Sequence, residues 1–168
     1  MIIPTALPEF QIRHADVTDC PLILAFIREL AEYEQLSHEV VATTQTLEET
    51  LFGDPAYARV LIAEYQGEAV GYALFFHNFS TFTGRPGIYL EDLYVQPQYR
   101  GKGFGKSLLA YIAKLAVDMN CTRVEWSVLD WNEPSIQFYR SIGAVPMDEW
   151  TAQRLHGDAL TSFADQFK

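Results

Sequence analysis

Tyr99-Arg100-Gly101-Lys102-Gly103-Phe104-Gly105-Lys106-Ser107 is the stretch on which the fold reading turns. It separates a strand-like segment, 88–95, closed by Pro97, from a helix-like one, about 106–119. In the latter, Leu108, Leu109, Ile112, Ala113, Leu115 and Ala116 recur at helical spacing. Glycines between a strand and a helix let the backbone approach a ligand closely, and the helix N-terminus offers free N–H groups and the positive end of its dipole. Arg100, Lys102 and Lys106 add positive charge to the same turn. The combination predicts a phosphate or pyrophosphate ligand. The plainer alternative is a tight turn with solvated lysines.

Three phosphate-binding patterns compete for this stretch. A P-loop requires GxxxxGK[ST], and the run from Gly101 to Ser107 is one residue short of it. A dinucleotide fingerprint requires GxGxxG early in a βαβ unit; the spacing here is GxGxG, late in the chain. The third pattern, RxxGxG, is matched by Arg100, Gly103 and Gly105.

Upstream, residues 1–9 read as a loose leader and 10–13 alternate like a strand. Thr18-Asp19 supplies an N-cap, Pro21 suits a first helical turn, and a helix to about Tyr33 carries Leu22, Ile23, Phe26, Ile27 and Leu30 inward. A second helix starts at Thr43 or Thr44, buries Leu47, Leu51 and Phe52, and stops at Gly53. Segments 59–65 and 69–78, joined at Gln66-Gly67, form a hairpin, and 80–87 reads as a loop. Downstream come a strand at 123–128, a short helix opened by Asn132-Glu133-Pro134 and closed by Gly143, a strand at 145–155, and a final amphipathic segment. The fold class is therefore α/β of the α+β type: one mixed, mostly antiparallel sheet flanked by helices.

At 168 residues, 49% hydrophobic and 20% charged, the chain reads as one domain, 1–168, with a real core. Its 12 basic and 22 acidic residues give a net charge of −10, which repels phosphate backbones and argues against a nucleic-acid partner while suiting a cationic one. No apolar run reaches the length of a membrane span, and the N-terminus lacks a basic and apolar leader, so no membrane partner is expected and the expected location is cytoplasmic. Cys20 and Cys121 stand alone and the four histidines are scattered, so no metal site is expected.

Around the glycine turn the sequence resembles the GNAT superfamily of N-acetyltransferases, and more narrowly its diamine acetyltransferase branch, which includes the spermidine/spermine and thialysine enzymes. Three blocks carry the resemblance: Tyr89-Leu90-Glu91-Asp92-Leu93-Tyr94-Val95 with the turn that follows, Trp131-Asn132-Glu133-Pro134-Ser135-Ile136-Gln137-Phe138-Tyr139, and Glu29-Leu30-Ala31-Glu32-Tyr33-Glu34 with Arg13 and Asp19-Cys20. The resemblance implies a GNAT-like fold and acetyl-CoA as cosubstrate. Leu93, Tyr94 and Val95 would lend backbone groups to pantetheine. Arg100, Gly101, Lys102, Gly103, Phe104, Gly105 and Lys106 would hold the pyrophosphate, and Asn132 and Ser135 would contact pantetheine. Tyr139 would lie near the thioester sulfur and Glu91 would face the acceptor amine. Relatives of the branch are homodimers, which implies a homodimer here.

Amine acetylation fits these residue types. An alkylamine with a pKa of about 10.4 arrives protonated, and a carboxylate can bind it and then take its proton. Strand alternation points Glu91 and Asp92 to opposite faces, so one of them lines the cleft; the resemblance selects Glu91 as base. Tyr139 can protonate the leaving thiolate. Without a cysteine in any motif, direct transfer is expected rather than an acetyl-enzyme. On the acceptor side the resemblance marks Tyr33 and Glu34; Glu125, Trp126, Ser127 and Glu149 could add an acidic, partly aromatic wall. Ser80-Thr81-Phe82 stands where spermidine/spermine enzymes carry Asp-Pro-Trp, which favours a small cationic amine (a diamine or a lysine-like amino acid) over spermine. A protein lysine or N-terminal acetyltransferase, and a CoA-binding regulatory module without turnover, stay open as alternatives.

Overall fold

A computed structural model describes residues 1–167. By internal contacts the chain forms two compact units, Met1–Ser127 and a second that begins at Val128. The first holds a six-stranded sheet in the order β1-β2-β3-β4-β5-β6. Its strands are β1 (Ile2–Pro4), β2 (Phe10–His14), β3 (Arg59–Tyr65), β4 (Glu68–Ser80), β5 (Arg85–Val95) and β6 (Val124–Glu125). All neighbours are antiparallel except β5 and β6, which makes the sheet mixed and mostly antiparallel as expected. Helices α1 (Cys20–Tyr33), α2 (Thr44–Leu51) and α3 (Phe104–Asp118) complete this unit.

The two sheet faces divide cleanly. Ile23, Phe26, Leu47 and Leu51 of α1 and α2 pack with Val60, Ile62, Tyr72 and Tyr94 into one core. The alternate residues Phe10, Ile12, Leu61 and Ala63 are buried on the other face, where α3 lies: Phe104 stacks on Phe10 at 4.2 Å and the Tyr111 ring meets His14 at 6.4 Å. The Gln66-Gly67 turn forms as read, both residues taking positive φ (53° and 82°), the geometry of a two-residue hairpin. Thr43 caps α2 by accepting from the Thr46 N–H.

Several expectations need correction. Residues 1–9 are not a loose leader: Ile2–Pro4 pairs with β2, and the Thr5 hydroxyl donates to the Phe10 carbonyl at 2.8 Å. Asp19 occupies the N-cap of α1 but does not cap it, because its carboxylate receives both Nη1 and Nη2 of Arg13, at 2.7 and 2.8 Å. The 80–87 loop shrinks to the turn 81–84, since β4 and β5 extend through Ser80 and Arg85. The strand at 123–128 pairs only over Val124–Glu125.

The second unit contains α4 (Glu133–Ser141) and α5 (Gly157–Ala164). Gly143, at φ 89°, closes α4 as read. Residues 145–155 form no strand. Their apolar alternation is real, but a strand also needs a neighbour's ladder, and no described segment supplies one.

Candidate active site

The decisive local feature is a bulge in β5. Leu74 of β4 pairs with Asp92 while the next residue, Phe75, pairs with Leu90, so Glu91 is the extra residue. The insertion breaks the two-residue alternation, which corrects the expectation that Glu91 and Asp92 point to opposite faces. Asp92 shares the α1 face with Tyr72, whose buried hydroxyl donates to it at 2.6 Å. Burial, then the charge and hydrogen bond of Asp92, push the Tyr72 hydroxyl far above its ordinary pKa, and Glu34 and Glu91 push it the same way. Burial likewise holds the Asp92 carboxyl above the usual range, and Glu34, at the end of α1, is raised by burial and by Asp92. Three carboxylates from two elements, α1 and β5, thus act on one electrostatic neighbourhood.

Beyond the bulge β5 keeps one edge open. Its parallel pairing with β6 covers Ile88 and Tyr89, and among the described residues no strand pairs with that edge from Leu90 to Val95. Strand β5 then runs through Pro97–Tyr99 into the glycine turn. Gly101 and Gly103 both take positive φ, 77° and 85°, where side chains are strained. A Cβ on Gly101 would meet nothing within 4 Å, and one on Gly103 would meet only Leu7, at 3.7 Å. Gly103 caps α3 without a side chain, which leaves the first N–H groups of that helix available to an anion. Open space, orphan donors and two lysines fit a pyrophosphate.

Arg100 is placed differently from its neighbours. Its Nε donates to the Val95 carbonyl at 2.9 Å, and its guanidinium lies over the rings of Tyr33 (4.7 Å) and Tyr94 (5.6 Å). The Tyr94 hydroxyl donates to Glu29 at 3.0 Å, and Gln96 reaches the same carboxylate. Burial and Glu29 push the Tyr94 hydroxyl up to about 12. Lys102 lies 5.6 Å from the ring centre of Tyr65.

The remaining acceptor-side residues divide. Ser127 bonds the Tyr89 hydroxyl at 2.9 Å. Glu125 is already engaged by Arg123 at 2.6 Å and Asn78 at 3.1 Å, which neutralises the carboxylate a cation would need. Trp126 follows it, half-buried. In the second unit, Asn132 is buried just before α4, and Ser135 and Tyr139 are half-buried on that helix, the Tyr139 ring 5.5 Å from Phe138. Glu149 is exposed in the segment that forms no strand. Sequence reading missed Asp92 and Tyr72 as partners of the acidic face. The signal was an aspartate inside an apolar strand, but alternation alone cannot locate a bulge.

The architecture joins an open strand edge to a glycine turn at a helix start, an arrangement suited to an acyl-CoA-dependent transferase. Residues 24–144 match the acetyltransferase (GNAT) family, and the chain belongs to it. It is accordingly an acetyl-CoA-dependent N-acetyltransferase. It is 40% identical to the thialysine N-epsilon-acetyltransferase of Sus scrofa over 164 residues, covering 91% of this chain and 96% of that protein. It is 34% identical to an L-ornithine N5-acetyltransferase of Arabidopsis thaliana, covering 89% and 86%. Among solved structures, an integron cassette protein from the mobile metagenome of V. cholerae superposes with a TM-score of 0.80 at 26% identity, over 94% of this chain and 99% of that one.

Proposed function

We propose that the protein moves the acetyl group of acetyl-CoA directly onto the terminal primary amine of a small cationic acceptor, a lysine-like amino acid or a short diamine. The observation that carries this reading is the bulge at Glu91, on the strand that leads to the glycine turn, together with the common action of Glu91, Asp92 and Glu34 on the Tyr72 hydroxyl. The thialysine and ornithine activities named for two relatives support the acceptor class, since both acceptors pair an α-amino acid with a terminal amine.

Acetyl-CoA supplies the acetyl group as a thioester. The acidic face binds the acceptor as its ammonium, and Glu91 takes the proton, directly or through a water, so that the neutral nitrogen can attack the carbonyl carbon. Open N–H groups on β5 would steady the oxygen as it gains charge. As the C–N bond forms and the C–S bond breaks, Tyr139 gives a proton to the departing sulfur; the attacking nitrogen sheds its second proton to water to leave the neutral amide, and Tyr139 is reprotonated from water. The glycine turn and the α3 N-terminus hold the pyrophosphate, and Asn132 and Ser135 contact the pantetheine arm.

Two features of the setting complete the proposal. The protein works in the cytoplasm, consistent with its unpaired cysteines. It works as a homodimer, as the resemblance to the diamine acetyltransferase branch implies; Val145, Met147 and Trp150 of the second unit are apolar and exposed. Light scattering at micromolar concentration tests the dimer.

Mass spectrometry tests the reaction. Acetyl-CoA is incubated with thialysine, ornithine, putrescine, spermine or a lysine peptide, and the site of acetylation is mapped. An acetyl group on the terminal amine of a small acceptor is the expected product. Acetylation of the peptide alone would transfer the chain to the protein acetyltransferases. Cofactor binding without any product would favour the regulatory module.

A further inference from the structure

Arg100 belongs to the glycine turn by sequence, yet the side chain points its chemistry elsewhere. Its Nε is engaged by the Val95 carbonyl at 2.9 Å, and the flat face of its guanidinium covers the Tyr33 ring at 4.7 Å. Tyr33 ends α1, and Glu34 follows directly. One turn earlier on the same face of α1, Glu29 accepts from Tyr94 and Gln96, the residues that flank Val95. The last turn of α1 is thus fastened to the end of β5 at two points four residues apart, and Arg100 is one of them. Just past it the chain turns sharply, with Gln35 at φ 62°, a left-handed position uncommon for a residue with a side chain.

We propose that Arg100 is a positioning residue for the acceptor side: it holds Tyr33, and through Tyr33 the adjoining Glu34, so that it sets affinity for the amine as well as completing the cofactor turn. This rests on the reading of the chain as an acetyltransferase for small cationic amines. It departs from the expectation that Arg100 serves the pyrophosphate alone. Physically, a lysine at this position would keep the positive charge but lose the planar face that covers an aromatic ring.

The test uses the full chain with acetyl-CoA and thialysine. Arg100→Lys should leave the KM for acetyl-CoA within about twofold, because the charge remains, while raising the KM for thialysine about fivefold, because the stacking is lost. Tyr33→Leu should raise the thialysine KM by a similar factor. The double variant Arg100→Lys with Tyr33→Leu should be no worse than either single variant, since both remove one contact. Hydrogen exchange gives a second readout that needs no turnover. The amides of Glu34 and Leu36 donate to Leu30 and Ala31, and in Arg100→Lys they should exchange faster than in the wild type. An unchanged thialysine KM in Arg100→Lys, fully multiplicative effects in the double variant, or unchanged exchange at 34–36 would overturn the proposal. A wild type that acetylates no amine would instead overturn the functional reading, and the exchange data would still decide whether Arg100 holds the end of α1.

Discussion

The buried Tyr72 hydroxyl donates a 2.6 Å hydrogen bond to Asp92, one residue beyond the bulge at Glu91. That bond anchors the strand where its alternation is broken, and it keeps Asp92 on the α1 face, within electrostatic reach of Glu34. The acidic face follows from this one irregularity in an otherwise regular ladder.

Glu91→Gln should lower kcat about 10²-fold at neutral pH, the usual contribution of a general base. The deficit should shrink as the pH approaches that of the free amine, about 10.4, where the acceptor deprotonates without help. A kcat–pH profile of both proteins checks this, and a deficit constant across pH would remove Glu91 from the proton transfer.

Tyr139→Phe should lower kcat by a similar factor, about 10²-fold, while leaving the Kd for acetyl-CoA nearly unchanged. Single-turnover kinetics with a parallel calorimetric titration separates the two. An unaltered rate would assign the sulfur's proton to another donor.

Asp92 and Glu34 both have carboxyls raised above the ordinary range, by burial and, for Glu34, by Asp92. As the pH falls they take up protons before an exposed carboxylate does, and the acidic face loses its charge. The KM for a cationic amine should therefore rise on acidification from neutral pH, and Glu34→Gln should flatten that rise. Initial rates across the acidic range measure it.

The same shift makes a stability prediction of opposite sign. A carboxylate whose folded pKa is raised loses stability for the fold as the pH rises from its unfolded value to its folded one, and the cost is full above the folded pKa. Asp92→Asn should thus raise Tm at pH 7 by about 2–4 °C while lowering turnover, a trade of activity for stability. Calorimetry and rate assays on the same preparation test both halves.

Asp19 behaves in the reverse way. The Arg13 guanidinium holds its carboxyl below the usual 3.8, so its stabilising contribution is full above that value and is lost as the pH falls through the lower folded pKa. Asp19→Ala should cost about 3 kcal/mol at neutral pH, because it leaves Arg13 half-buried with Glu64 as its remaining ion-pair partner. Denaturant titrations at several pH values below 4 should show a flatter stability curve for the variant.

Local chemistry made most of the fold legible. The Gln66-Gly67 hairpin, the Thr43 cap and the glycine turn each depend on residues a few positions apart. The misjudged features depend on distant partners. Ile2–Pro4 is a strand because β2 lies beside it, and 145–155 is not one because no described strand does. The site divides in the same way. The glycine turn and its lysines are visible in the sequence as a local run, whereas the Tyr72–Asp92 bond spans two strands and Arg100 reaches back to Tyr33. Neither pairing leaves a mark in linear spacing.

The most direct measurement is CoA thiol release from acetyl-CoA in the presence of thialysine, ornithine, putrescine, spermidine and spermine, each at a range of concentrations. The account predicts a kcat/KM for one small amine at least about tenfold above that for spermine, within the range by which pockets discriminate related substrates. Tight acetyl-CoA binding with no thiol release on any of these amines would contradict it.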